Sequence, residues 1–331
     1  MPLRILHLLL LLPCLVLISA CDRSPPPQHA APSTQHSSPR IVCLSPALAV
    51  TLKDLGFESS IVGRHGYDLA LSPSLPVAGD QQGLNYETLL TLNPSHILLQ
   101  LGSGIPSKLS TLATQHKWTV TNYSILTLDD IQRTTRDLHA TFAPLGSPCP
   151  LADRMVATWP AKGSATGPAT GLTPANPVFK SAGRILLLAS ISPPAALGPG
   201  SFHHQILEVL GATPAISAGS PFIELDAESL LALKPDGIIL ILPRGRNDSV
   251  PPPSTPSQLR ARLGVLGSLS LPALDTTSHP ERIALIDDPL AHTPSSAMLT
   301  ITDQIRGIMI EWSAGAQPVQ PTHDGTESQK R

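Results

Sequence analysis

A chain of 331 residues is long enough for two domains with sizeable cores. Its net charge of −2 argues against a nucleic-acid binder that draws its affinity from phosphate contacts. Aromatic residues make up only 3%, so a large ligand pocket has few rings to stack with, and 36 prolines divide the chain into short elements.

The N-terminus sets the compartment. Arg4 is the sole charge before the apolar run Leu8 to Ile18, and the run closes Ile18-Ser19-Ala20-Cys21. A basic start, an apolar segment and small residues before a cut read as a secretory signal over residues 1–21. The cysteine after Ser-Ala resembles a bacterial lipobox, which implies that Cys21 becomes a lipid-modified first residue anchored in a membrane. A plain membrane anchor, or a signal cut elsewhere, is the alternative. Of the two other cysteines outside the signal, Cys43 lies in the apolar run Ile41-Val42-Cys43-Leu44 and reads as a buried small hydrophobe, although pairing with Cys149 stays open. No Cys/His cluster has zinc spacing.

Residues 22–39 are rich in Pro, Ser, Gln and His and read as a disordered tether. A first lobe follows over 40–124. Ile41 to Leu44 is a strand, Ala47 to Leu55 a helix stopped by Gly56, and Ile61 to Gly63 a second strand. Arg64 to Leu75 is a loop by its Gly, Asp and Pro content. A helix from about Ile105 and a strand Trp118 to Tyr123 complete the lobe. Thr127 to Phe142 reads as an amphipathic helix capped by Thr127 or Asp129, with Ile131, Leu138 and Phe142 on its apolar side. With Leu151 to Trp159 it forms a connection over 125–160, followed by a Gly/Pro/Ala/Thr linker at 161–182. A second lobe spans 183–312. It has a strand Arg184 to Ala189, a loop Ser192 to Gly200 and a helix Phe202 to Leu210, on whose surface His203 and His204 are expected. A helix near Gln258 to Leu266, a strand Arg282 to Ile286 and a closing helix Ser295 to Trp312 complete it. The tail at 313–331 is polar and expected to be disordered. Strand–helix alternation predicts an α/β fold of two similar Rossmann-like lobes with mostly parallel sheets.

One fifteen-residue pattern occurs in both lobes. Asn85 to Leu99 (NYETLLTLNPSHILL) and Asp226 to Leu240 (DAESLLALKPDGIIL) are identical at Glu87/Glu228, Leu89/Leu230, Leu90/Leu231, Leu92/Leu233, Pro94/Pro235, Ile97/Ile238 and Leu99/Leu240. The Asn or Asp caps a short helix, the leucines are expected along one side, the proline ends the helix, and a buried strand follows.

These segments carry a family resemblance. RIVCLSPALAVTLKDLG, GLNYETLLTLNPSHILL, FHHQILEVLGA and DAESLLALKPDGIIL resemble substrate-binding proteins of ABC importers, in the class whose lobes are bridged by a long backbone helix (class III periplasmic binding proteins). Members carry vitamin B12, haem or ferric siderophores. QGLNYETLLTLNP and QILEVLGA are most similar to the vitamin B12 binder. The resemblance implies a lipid-anchored monomer in the cell envelope, on the periplasmic or extracytoplasmic face. It would be no enzyme and would bind no nucleic acid, resident cofactor or metal of its own. It would carry a small metal-chelate ligand to a permease dimer and its ATPase subunits.

By the same resemblance Glu87 and Glu228 dock on permease arginines. Otherwise each carboxylate only favours its own helix start. The ligand would lie between the lobes, against His65 to Asp68, Asp80 to Gln82, Ala195 to Gly200 and Asp287 to His292. The candidate ligand residues are Arg64, His65, Tyr67, Asp68, Gln81, Leu197, Phe222, Asp288 and His292. Tyr67 and Phe222 match aromatic positions of the family. Gln81 stands in place of a Trp, Leu197 lies near an expected Phe, and Pro289-Leu290 replace an aromatic pair. His65 and His292 are either metal ligands or exposed loop histidines. Arg64 either attracts an anionic group or is solvated. Two alternatives remain: an interaction domain that has lost its small ligand, and a hydrolase using the Asp287-Asp288 pair.

Overall fold

The computed structural model describes residues 38–160, 179, 182–245, 248, 253, 255–277 and 279–314. The signal segment with Cys21, most of the tether, most of the 161–182 linker and the tail beyond Ala314 lie outside the described residues.

The chain folds as two α/β lobes, each with its own sheet. The first sheet contains β1 (Ile41–Cys43), β2 (Ile61–His65), β3 (Val77–Asp80), β4 (Gly83–Leu84), β5 (His96–Leu99) and β6 (Thr119–Asn122), in the order β4-β3-β2-β1-β5-β6. All its pairs are parallel except β3 with β4. Parallel strands need cover on both faces, and every residue of β1 is fully buried. The Ser45 side chain caps the helix α1 (Pro46–Asp54) by accepting from the Leu48 amide, and Pro46 fits the first helical position, where no N–H is needed.

The repeated pattern folds the same way twice. Asn85 accepts from the Thr88 amide at 3.0 Å to open α2 (Tyr86–Leu92). The helix stops at Asn93 in the left-handed region (φ 39°), one residue before Pro94, and β5 follows. The leucines do not all share one side. Leu89 is fully buried and Leu90 is 42% exposed. Neighbouring residues on a helix point about 100° apart, so a helix of two turns covers only one of two adjacent leucines.

The second lobe repeats the core of this plan. Its sheet runs β10 (Phe222–Glu224), β8 (Pro194–Leu197), β7 (Arg184–Ile191), β11 (Gly237–Ile241), β12 (Ile283–Ile286), and β9 (Thr213–Pro214) pairs with β7. Between β3 and β7 in chain order, three helices follow α2. They are α3 (Ser107–His116), α4 (Leu128–Phe142) and α5 (Pro150–Thr158). In the second lobe α6 is Phe202–Val209, and Asp226 caps α7 (Ala227–Leu233) by accepting from the Ser229 amide at 2.7 Å. Lys234 ends α7 in the left-handed region before Pro235. β11 pairs with β7 as β5 pairs with β1, both parallel, so the two copies occupy equivalent places. Leu230 is buried and Leu231 exposed, as in the first copy. The expected loop Ser192 to Gly200 contains β8, which is antiparallel to both β7 and β10, so this sheet is mixed. Its short Pro/Ala/Leu run carries no helical or alternating signal and takes its conformation from pairing with β7.

The connection is α4 followed by α5. The Thr127 side chain and Asp130 form a reciprocal capping box at the start of α4. The buried face of α4 is wider than its apolar stripe, since Gln132, Thr134 and Thr135 are buried with Ile131 and Leu138. α8 (Pro256–Arg262) precedes two short 3₁₀ turns, and α9 (Met298–Ala314) closes the chain. One hydrophobic core joins Ile41 and Leu48 of the first lobe, Met155 and Trp159 of the connection, Ile185 and Ile239 of the second lobe, and Ile305 and Trp312 of α9. Gly237 fits this arrangement because a Cβ there would lie 2.4 Å from the Trp312 ring. Cys43 and Cys149 are free thiols, and burial pushes the Cys43 thiol up to about 12.

The repeated helix makes a direct stability prediction. Leu89→Ala should cost about 2–5 kcal/mol, because it empties a buried site. Leu90→Ala should change stability by less than about 0.5 kcal/mol. Urea unfolding of the two variants checks both values, and equal losses would contradict the burial pattern.

Candidate functional site

Parallel strands deliver their C-terminal ends to one edge, where loops are free to take a ligand. In the first lobe that edge holds a cavity of about 720 Å³. Leu44 and Ser45 follow β1, His65 and Tyr67 follow or end β2, Asp80 and Gln81 end or follow β3, and Gln100 and Leu101 follow β5; all of them line it. Tyr67 is 60% exposed at the mouth, with its ring 5.9 Å from the His65 ring. Three of the expected residues, His65, Tyr67 and Gln81, are thus brought together. Ser45, Gln100 and Tyr86 line the same space and were not among the expected set. Gln100 stands directly after the repeated strand, at the end where ligands gather, and that position was the signal for it.

Hydrogen bonds set the chemistry of this edge. The Tyr67 amide donates to His65 Nδ1 at 3.2 Å, so Nδ1 carries a lone pair and the neutral ring bears its proton on Nε2. Burial holds His65 below its ordinary range, against the pull of Asp80 and Asp68. Ser45 Oγ accepts from the Leu48 amide and donates to Gln100 Oε1 at 2.7 Å, which fixes the orientation of that amide. Asp80 Oδ1 accepts from the Gln82 amide at 2.7 Å.

Two expected ligand residues have structural work instead. Arg64 donates to four backbone carbonyls, those of His65, Gly66, Pro73 and Leu75, and so clamps the loop it starts. It neither lines the cavity nor faces solvent as a free cation. Asp68 is 3% exposed, and its Oδ1 accepts from the Ala70 and Leu71 amides, which makes it the internal staple of the same loop. A loop of Gly, Asp and Pro has backbone groups to satisfy, and these two charged side chains satisfy them.

The second-lobe candidates do not line this cavity. Leu197 and Phe222 face one another in register across β8 and β10, Leu197 half-buried and Phe222 53% exposed. Asp288 Oδ1 accepts from the Leu290 amide at 2.8 Å, and Asp287 lies 3.6 Å from Arg244. His292 donates from Nε2 to the Ile241 carbonyl at 3.0 Å, at the C-terminal end of β11. His203 and His204 are buried rather than on the helix surface. Their Nε2 atoms lie 2.7 Å from the Ala291 carbonyl and 3.1 Å from the Ile216 carbonyl, and each bond ties α6 to a neighbouring loop. The His203 ring lies edge-on to His292 at 5.5 Å, and burial lowers its pKa to about 3. A second cavity, of about 590 Å³, lies where Thr127 and Asp129 at the start of α4 meet Pro199, Gln205 and Glu208. Among the described residues, no three His, Cys, Asp or Glu side chains group to hold a metal ion.

Glu87 and Glu228 are both exposed in the first turn of their helices, and neither has an ion-pair partner among the described residues. Glu87 borders a shallow hollow with Tyr86 and Lys108, whose Nζ lies 4.3 Å from the Tyr86 ring centre.

No family model matches the chain, and no curated protein does. Solved structures do. The periplasmic heme-binding protein RhuT of Roseiflexus sp. RS-1, in apo form, superposes with a TM-score of 0.57 at 19% identity, over 83% of this chain and 99% of that one. The periplasmic heme-binding protein HutB of Vibrio cholerae gives 0.60 at 18% identity, over 82% and 98%. The periplasmic vitamin B12 binding protein BtuF of Vibrio cholerae gives 0.53 at 16% identity, over 85% and 98%. The chain therefore has the bilobed α/β fold of these periplasmic binding proteins. The likeness does not single out the vitamin B12 binder.

His203 makes the pH dependence of stability predictable. The folded chain keeps this ring neutral, whereas the unfolded chain protonates it near 6.5. The unfolded state then binds more protons, so stability should fall as pH drops from about 6.5 towards 3, by up to roughly 1.4 kcal/mol per pH unit for this one group. His203→Gln, which keeps a donor for the Ala291 carbonyl, should flatten the slope. Urea midpoints between pH 7 and 4 check this, and an unchanged slope would contradict it.

Proposed function

We propose that this chain is the substrate-binding component of an ABC importer and carries a metal-chelate ligand, of the corrinoid or iron-chelate kind, to a permease. The observation that carries the reading is the large cavity at the strand ends of the first lobe, within a fold shared with heme-binding and vitamin B12 binding proteins. Tyr67 and Phe222 supply exposed aromatic surface, one from each lobe, for a flat macrocycle. The continuous core through α4, α5 and α9 favours a small rocking of the lobes over a wide hinge. Lipid at Cys21, with residues 22–39 as tether, holds the protein at the outer face of the membrane.

Glu87 and Glu228 supply the two docking charges of this proposal. Each is exposed, unpaired among the described residues, and set on a rigid capped helix in the same place of its lobe. Two well-separated carboxylates fix the register of docking on cationic permease surfaces more than they add affinity. An enzymatic role has less support. Asp287 and Asp288, the paired carboxylates, are spent on Arg244 and on the Leu290 amide.

Two measurements test the proposal. Titration of the purified protein with hemin, cobalamin and ferric siderophores, followed by absorbance and calorimetry, should find one class bound at micromolar strength or better. No binding by any of them would overturn it. The double variant Glu87→Arg/Glu228→Arg should bind that ligand within about twofold of the parent and lose transport in reconstituted vesicles. Normal transport by the double variant would remove the docking role.

A further inference from the structure

The cavity in the first lobe also bears on which ligand class it takes, and this inference rests on the proposed function. Three polar groups on its lining are fixed in orientation by the protein and left with unused capacity. His65 Nδ1 accepts from the Tyr67 amide, so Nε2–H is a donor with no partner among the described residues. A ring in this tautomer cannot give Nε2 to a metal without losing its proton. Gln100 has its Oε1 held by Ser45, so its Nε2H₂ group is likewise a donor without a partner among the described residues. Asp80 uses Oδ1 on the Gln82 amide, and its Oδ2 is an acceptor with no such partner. All three residues line the one cavity.

Two donors beside one anionic acceptor form the complement of a carboxamide. Its carbonyl oxygen takes a hydrogen bond from His65 or Gln100, and its NH₂ gives one to Asp80. A carboxylate-rimmed ligand satisfies the donors but brings a like charge to Asp80, which costs affinity in a partly desolvated site. We infer that this pocket selects a macrocycle with a carboxamide rim over one with a carboxylate rim, through His65, Gln100 and Asp80, and that His65 acts as a hydrogen-bond donor and not as a metal ligand.

A matched pair of corrinoids separates the possibilities, since aquacobinamide and cobyrinic acid share metal and ring but carry amides and carboxylates respectively. Aquacobinamide should bind at least tenfold more tightly than cobyrinic acid at pH 7. Asp80→Asn should bring the two within about threefold by improving the acid. The absorbance bands of bound aquacobinamide should match those of the free compound. His65→Ala should weaken binding at least fivefold without moving those bands, and His65→Gln should restore most of the loss. Equal or tighter binding of cobyrinic acid overturns the inference. So does binding of hemin but neither corrinoid, or a band shift that vanishes in His65→Ala. In each of these cases the proposed function survives. Failure of hemin, siderophore and both corrinoids to bind overturns the proposed function itself, and this inference with it.

Discussion

Trp159 joins the two halves of this molecule. Its ring is fully buried where the connection meets the closing helix, and its indole N–H donates to Thr302 Oγ1 of α9 at 3.0 Å. Its own carbonyl accepts from Gln132 Nε2 of α4 at 2.8 Å. A buried indole N–H left without a partner costs about 1–3 kcal/mol, so this contact sets the register of α5 against α9 as well as filling space. The side chains around it come from both sheets. Ser296, just before α9, adds a direct bond to Asp54 of the first lobe at 2.6 Å. The lobes therefore do not meet through a flexible strand crossing. They share packed helices, and packed side chains resist large relative motion.

A rigid connection gives meaning to what the lobes display. Each sheet buries its central strands and leaves only the loops after the strand ends for chemistry. In the first lobe the loop after β2 is stiffened from within, by Arg64 on four carbonyls and by Asp68 on two amides, and Ser45 holds Gln100 after β5. The polar atoms of the cavity are then pre-oriented, and a ligand does not have to order them. In each lobe the repeated helix holds a carboxylate at a fixed place, and in the first lobe that carboxylate, Glu87, adjoins Tyr86 of the cavity wall. Its cap and its proline-bounded end leave it little freedom.

Much of this was legible in the residues, and the exceptions have physical causes. The Asn85 and Asp226 caps, the stops before Pro94 and Pro235, and the buried strands after them follow from local rules that need no tertiary information. The capping box at Thr127 is of the same kind. Leu90 and Leu231 were misread because a two-turn helix cannot bury adjacent leucines, and a repeated letter does not say which face it occupies. His203 and His204 looked like surface residues because imidazole is polar. They are buried because two carbonyls, of Ala291 and Ile216, wait for them across the fold. Arg64 was expected at a ligand from its charge and Asp68 from the family resemblance, and both side chains hold the backbone of their own loop. β8 and β10 were invisible as a pair because β10 gains its strand conformation only from β8, and β8 from β10 and β7. Gln100 was missed although its place, one step past a repeated parallel strand, is where such sheets present ligand groups.

On the proposed function, one ligand is held at the strand-end edge of the first lobe and reaches the aromatic edge of the second. Hydrogen–deuterium exchange of the purified chain, with and without saturating aquacobinamide, tests it most directly. Exchange should slow in the segments around His65 to Tyr67, Asp80 to Leu84 and Gln100 to Leu101, with a smaller effect around Leu197 and Phe222. Protection confined to α4, α5 and α9, with the first-lobe loops unchanged, would contradict it.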